Sequence, residues 1–235
     1  QGIDQRSPAR HPDWLGPDDL AVKIEQLREA TDWRIPVHVK LGACRVDDDV
    51  KLAAKAGADA IVIDSMVAGT GASAEVLIEH SGIPTVPAIV MAREALRELG
   101  LYGKVTLIAS GGIRNGADAA KALALGADAV AIGTAGLIAL NCNKEIPGSD
   151  FESEVGVPAG FCHHCHTGKC PVGIATQNPE LTKRLDSDEA AERVANFLNS
   201  MTMEMALLTR SLGKSDVHSL EPEDLAALTI EASAM

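Results

Sequence analysis

Short apolar runs alternate with helix-patterned segments along most of this sequence, and that alternation leaves few architectures open. "IPVHVKLGA", "AIVID", "IPTVPAI", "KVTLIASGG" and "AVAIGTAG" read as strands. Between them "VDDDVKLAAKAGAD", "ASAEVLIEHSG", "AREALRELGL" and "NGADAAKALALGAD" read as helices, the first with acids at its N-terminus and Gly57 at its end. Ahead of them Leu20, Ile24 and Leu27 recur at helical spacing behind Pro17, which suits a first helical turn. Strands alternating with helices of about ten residues predict a parallel sheet with right-handed crossovers. The runs are near-continuously apolar, so both faces of the sheet are expected to be covered.

Two of the strand-to-helix junctions carry small residues. "IASGGIRNG" and "AIGTAG" can turn backbone N–H groups toward a ligand at a helix N-terminus, the arrangement that binds phosphate. Their glycines equally suit plain tight turns. In (β/α)8 barrels the phosphate site is often built by the loops after the last two strands. On that count residues 105–110 and 129–133 are the seventh and eighth strands, and 85–88, 60–64 and 37–41 the sixth, fifth and fourth. The expectation is an α/β fold of (β/α)8 TIM-barrel type whose first three strands lie outside this sequence. An open doubly wound sheet of five strands is the structural alternative.

Composition narrows the partners. The 235 residues carry a net charge of -12, which repels nucleic acid and anionic membranes while leaving local anion sites possible. Aromatic residues are only 3%, so the core is expected to be Ala, Val, Ile and Leu. No apolar run reaches membrane-spanning length and no signal peptide is visible, so the expected location is cytoplasmic.

"GFCHHCHTGKCPVGIATQ" places Cys162, Cys165 and Cys170 in a CxxCxxxxC spacing. Clustered thiols in a chain of this kind suggest a metal or redox site rather than a disulfide framework. Thiolates suit either an iron–sulfur cluster or structural zinc. The Pro after Cys170 matches the Cys-Pro ending of ferredoxin cluster motifs. His163, His164 and His166 are expected to be loop residues or donors to cluster sulfides, and Cys44 a small residue after its strand. The features divide the chain into a barrel part (1–141), a cysteine loop (142–186) and a helical extension (187–235). In the last, Leu198, Met201, Met205 and Leu208 form an apolar stripe read as core packing.

"VHVKLGA", "GTGAS", "ASGGIRNGADAAKALALGADAVAIGTAGLIALNC" and "CHTGKCPVGIATQNPEL" together resemble the FMN-binding synthase domain of the glutamate synthase family. "SPARHPDWLGPDDLA" and "LEPEDLAALTIEA" also resemble the related subunit of N-methylglutamate synthase. The resemblance covers almost the whole chain and implies a (β/α)8 barrel carrying FMN and an iron–sulfur cluster. It further implies reduction of 2-iminoglutarate, formed from 2-oxoglutarate and ammonia, to L-glutamate. A phosphate-binding barrel lyase or isomerase with structural zinc is the reading from another class.

The resemblance assigns roles residue by residue. Lys40 matches the lysine beside flavin and substrate, and Ser110, Gly111, Gly112, Gly133 and Thr134 match the FMN phosphate loops. Asp64 and the turn of Gly69, Thr70 and Gly71 match the substrate-side loop, although Asp64 also suits a helix cap. Cys142 matches a fourth cluster cysteine beside Cys162, Cys165 and Cys170, which gives a [4Fe–4S] cluster, or a [3Fe–4S] cluster if one thiol is not a ligand. The family's "DGGTGAS" reads here with Val67 and Ala68 in place of Asp and Gly, and a longer spacer separates Cys142 from Cys162. No glutaminase nucleophile is visible, so an amine-supplying or glutaminase subunit and an electron-donor protein are the expected partners.

Overall fold

The computed structural model describes residues 8–69, 73–142, 146 and 149–234. Four parallel strands form one sheet in the order β1-β2-β3-β4: β1 (His38–Gly42), β2 (Ala60–Asp64), β3 (Thr106–Ser110) and β4 (Ala129–Ala131). Helix α1 (Pro17–Ala30) precedes the sheet, with Pro17 in its first turn and Ile24 buried. α2 (Val46–Lys55), α3 (Glu75–His80), α4 (Thr85–Glu98) and α5 (Gly116–Ala124) make the crossovers. α6 (Thr134–Ala139) follows β4, and α7 (Phe151–Val155) and α8 (Pro179–Thr182) flank the cysteine segment. The chain closes with the long α9 (Ser187–Ser211) and the short α10 (Ile230–Ser233). This is a parallel α/β fold of the kind a (β/α) barrel is built from.

Val39, Ile61, Ile63, Leu107 and Ala109 alternate along the strands and bury one face of the sheet against Val50, Ala53, Ile89, Ala92 and Leu96 of the crossover helices. The opposite face is not equally covered: His38 and Lys40 are exposed, and Val62, Asp64 and Ile108 are half-buried. The helix-covered side is thus built by these residues, and the other side carries the polar strand ends.

The segment read as the sixth strand, residues 85–88, is helical. "TVPAIVMAREALRE" forms α4, with Ala88, Ile89, Ala92, Ala95 and Leu96 buried at helical spacing. Pro87 sits in the first turn, where its missing N–H costs nothing because that donor has no intrahelical partner. A β-branched start had masked the 3.6-residue period. Among the described residues the sheet thus has four strands rather than five. If β4 is a barrel's eighth strand, β1 is its fifth, and four strands rather than three would complete it.

A repeated device sets the strand starts. α2 and α5 each end in a Gly-Ala-Asp-Ala step, at Gly57 to Ala60 and Gly126 to Ala129. Gly57 and Gly126 take φ values of 100° and 116°, the left-handed region that favours glycine. The Asp59 carboxylate accepts from the Val37 N–H at 2.7 Å, and that of Asp128 from the Leu107 N–H at 2.7 Å. Each satisfies a donor at the head of the neighbouring strand. Arg28 and Arg93 then lock the two corners through the Gly57 and Leu125 carbonyls.

α9 lies across α5 and α6. Met201 is buried, whereas Leu198 and Leu208 stay exposed, so only part of the expected stripe packs. Gly116 makes the crossing possible: an added Cβ would lie 2.3 Å from the Met201 carbonyl oxygen. Its N–H donates to Glu204 Oε2 at 2.6 Å. Beyond α9 the extension is mostly loop with two 3-10 turns, not continuous helix. Lys214 ties that tail together through the Ser219 carbonyl, Glu221 and Asp224.

Gly116→Ala is expected to destabilise the protein by about 1–3 kcal/mol, because the methyl group meets backbone that has no free rotamer to yield; a urea midpoint that does not move would contradict this crossing. Asp59 tests the corner device through pH. The Val37 N–H, with Arg28 adding to it against partial burial, holds the Asp59 carboxyl below its ordinary range. A lowered pKa contributes stability that is complete above the unfolded value, about 3.9 for aspartate, and is lost as pH falls through the folded value. Asp59→Asn should therefore cost about 1 kcal/mol near neutrality, and the gap to the parent should close in strong acid.

Candidate functional site

In a parallel sheet all strands end on one edge, so the residues at their C-terminal ends meet. β2 and β3 pair in register with Asp64 opposite Ser110, and Lys40 lies on β1 opposite Val62. Ser110 Oγ donates to Asp64 Oδ1 at 2.5 Å, and Lys40 Nζ lies 3.2 Å from the same oxygen. The carboxylate is 17% exposed and the ammonium 58%, so Asp64 is the fixed member and Lys40 the one that reaches into solvent.

These three groups form one side of a cavity of about 970 Å³. Gly69, Gly111, Gly112, Gly133 and Thr134 line it too, so every expected flavin- or substrate-side residue that the structure describes faces one space. Thr70 and Gly71 lie outside the described residues. The glycine turn after β3 is held from below. Thr85 Oγ1 donates to the Gly111 carbonyl at 2.9 Å and shares a 2.7 Å hydrogen bond with Ser65 Oγ. At Gly111, φ is 109° and an added Cβ would lie 2.2 Å from Ser65 Oγ, so only glycine fits. Gly133 is the reverse case: an added Cβ would meet nothing within 4 Å and would project from the cavity wall.

The cavity suits an anion. Among the described residues no acceptor takes the N–H groups of Gly111, Gly112 or Gly133, and the first turn of α6 leaves further donors free. Lys40, Arg114 and Arg193 line it against a single carboxylate, Asp64. Those donors and charges fit the phosphate of a bound mononucleotide, and the volume is that of a typical ligand cavity.

The thiols come together beyond α6. Cys142 follows that helix directly, with its N–H donated to the Leu137 carbonyl at 2.9 Å. Cys170 is buried with Ile146, Phe151 and Val172 in a small core of its own, and Cys162 packs against it. Arg184 fastens this segment through the Pro171 carbonyl at 2.8 Å and an ion pair with Glu154 at 2.7 Å. Burial pushes the Cys142 thiol up to about 11, and the electrostatic influence of Cys165, Cys170 and Cys162 adds to it. Cys165 is raised by burial and then by Cys170 and Cys162. The other three expected ligands are thus within electrostatic reach of Cys142, and all four are free thiols. Among the described residues, no three His, Cys, Asp or Glu groups are close enough to hold a single metal ion. By their chemistry these thiols suit either an iron–sulfur cluster or zinc. His164 and His166 sit in a 3-10 turn, His164 with its ring beside Thr167 Oγ1.

Several cavity residues carried no visible signal in the sequence. Arg193, Asn196 and Phe197 come from α9, far along the chain, and Ser65 and Thr85 act from underneath the glycine turn. Arg114, within "SGGIRNG", also lines the cavity and pairs with Asp118 at 2.9 Å. Among the described residues no helix is long and apolar enough to cross a membrane.

Comparison with known proteins agrees in kind. A family profile described as a conserved region in glutamate synthase matches residues 1–215. A glutamate synthase large subunit-like protein of Rhizobium meliloti is 54% identical over all of this chain and 53% of its own length. An archaeal glutamate synthase [NADPH] of Methanocaldococcus jannaschii is 43% identical over 94% of this chain and 40% of its own length. The glutamate synthase [NADPH] large chain of Bacillus subtilis is 34% identical over 90% of this chain and 13% of its own length. The chain therefore spans about half or less of the length of these relatives. With the family match running through the glycine turns and the cysteine segment alike, this chain belongs to the glutamate synthase family.

Proposed function

We propose that this chain supplies the FMN- and iron–sulfur-binding part of a glutamate synthase-type oxidoreductase, which reduces 2-iminoglutarate to L-glutamate. The observation that carries the reading is the single cavity shared by Lys40, Asp64, Ser110 and the glycine turns, one short helix from the thiols. α6 is about 9 Å long at 1.5 Å per residue, and its two ends serve the two sites.

The assignment of groups rests on the resemblance and on the cavity these residues share. Ser110, Gly111, Gly112, Gly133 and Thr134 would hold the flavin phosphate, and Lys40 would lie beside flavin and substrate. Cys142, Cys162, Cys165 and Cys170 would hold the cluster. Bound there, a flavin would supply hydride chemistry for the imine and a cluster would supply electrons singly. Asp64, pinned by Ser110, keeps the Lys40 ammonium over the cavity, where it stabilises negative charge at the reacting end. The apolar wall of Ile113, Ile132 and Phe197 restricts water beside the imine, which hydrolysis would destroy. Ammonia and reducing equivalents come from partner subunits or solution. The relatives' names carry NADPH, so that is the first donor to test. A second reading, an alkylamine in place of ammonia and an N-alkylated glutamate as product, is favoured by Val67 and Ala68 at the cavity wall.

The full-length protein, purified without oxygen, should show flavin bands over a broad iron–sulfur absorption, and flavin, iron and sulfide by assay; zinc with no flavin would overturn the reading. Lys40→Met is expected to keep FMN and lower kcat about 10²-fold, the usual loss for one preorganised cationic or donor group. Cluster reconstitution provides a pH test. Thiols raised by burial are protonated near neutrality, and ligation must release those protons, so iron uptake should strengthen as pH rises from about 7 to about 9.

A further inference from the structure

One wall of the cavity comes from the helix after the cysteine segment. Arg193, Asn196 and Phe197 stand at i, i+3 and i+4 on α9 and line the cavity as a single helical face. Arg193 is held on two sides. Its Nε donates to the Ala139 carbonyl at 3.2 Å, and its Nη1 pairs with Glu189. Nη2 has no acceptor among the described residues. α9 is itself seated on Gly116 through Glu204 and Met201, so the guanidinium is presented by a fixed element rather than by a loose surface.

Charge selects the ligand class. The cavity carries three cationic side chains and one carboxylate in a chain of net charge -12, so it is positive where the molecule is negative. Lys40 is paired with Asp64, and Arg114 with Asp118. The partner of Arg193, Glu189, is 65% exposed, so solvent screens its hold. A guanidinium so placed can exchange that contact for an oxyanion gripped by two parallel N–H groups.

We propose that Arg193 is an oxyanion-binding residue of this cavity, taking either the flavin phosphate or a carboxylate of the 2-oxo acid. This rests on the reading of the cavity as a flavin and 2-oxo acid site. Asn196 adds an amide beside the same anion, and Phe197 offers a flat apolar surface next to it. The consequence is that α9, beyond the cysteine segment, belongs to the binding site and not only to the scaffold.

The test uses Arg193→Met and Arg193→Lys in the full-length protein, with circular dichroism and melting to establish that α9 remains folded. A phosphate contact makes Arg193→Met weaken FMN by about tenfold or more while riboflavin, which lacks the phosphate, is unchanged. A carboxylate contact leaves FMN unchanged and raises KM for 2-oxoglutarate about tenfold, with kcat within about twofold. In either case Arg193→Lys recovers part of the loss, whereas a merely structural arginine would not separate FMN from riboflavin or KM from kcat. Variants that bind FMN, 2-oxoglutarate and inorganic phosphate as the parent does overturn the proposal. If the parent takes up no flavin, the flavoprotein reading fails by itself. Titration with inorganic phosphate and 2-oxoglutarate then decides Arg193: weakening by Arg193→Met supports its role, and equal binding, or no binding by the parent, overturns it.

Discussion

The in-register pairing of four parallel strands is the constraint from which the candidate site follows. Because β1, β2 and β3 run the same way and end together, Lys40, Asp64 and Ser110 meet at one edge without any of them being adjacent in sequence. The 2.5 Å hydrogen bond from Ser110 to Asp64 is a lateral contact across that register. A one-residue slip would turn these side chains to the helix-covered face and close the cavity to them. Register is in turn held at the other edge by Asp59 and Asp128, which each satisfy a donor at the start of a neighbouring strand.

The two halves of the site are joined by connectivity as well as proximity. α6 opens at the glycine turn and ends just before Cys142, the cysteine segment follows, and α9 then returns to the cavity. Phe151, Val172 and the Arg184–Glu154 pair give the cysteine segment a small core of its own, which explains how a stretch so rich in loop holds its thiols near one another. Raised pKa values at Cys142 and Cys165 are the expected cost of placing thiols in a partly desolvated place beside other thiols, and ligation removes that cost by replacing protons with metal.

Much of this was legible from residue pattern. The strands of Ala60–Asp64 and Thr106–Ser110 announce themselves by β-branched and apolar runs, and the glycine turns by their place after a strand and before a helix. The resemblance located the cavity residues because they sit in contiguous motifs. The segment at Thr85 misled because Ile83, Thr85 and Val86 begin it with strand-formers and two prolines, while its helical period becomes visible only over the following ten residues. The repeated Gly-Ala-Asp-Ala step was a readable signal of paired corners that the alternation alone did not expose.

What the amino-acid sequence determined by itself was local: the alternation of elements, the glycines that only a left-handed or crowded backbone needs, the cysteine spacing and the family. Those are properties of neighbouring residues, and short-range sterics and periodicity suffice to encode them. Only the tertiary structure decided that Lys40, Asp64 and Ser110 share one cavity, that Thr85 and Ser65 brace the turn at Gly111, and that Arg193 reaches the cavity. The last of these depends on α9 crossing α5 at a distance set by a missing side chain, at Gly116 beneath Met201. Such contacts join residues far apart in the chain, and no periodicity along the sequence records them.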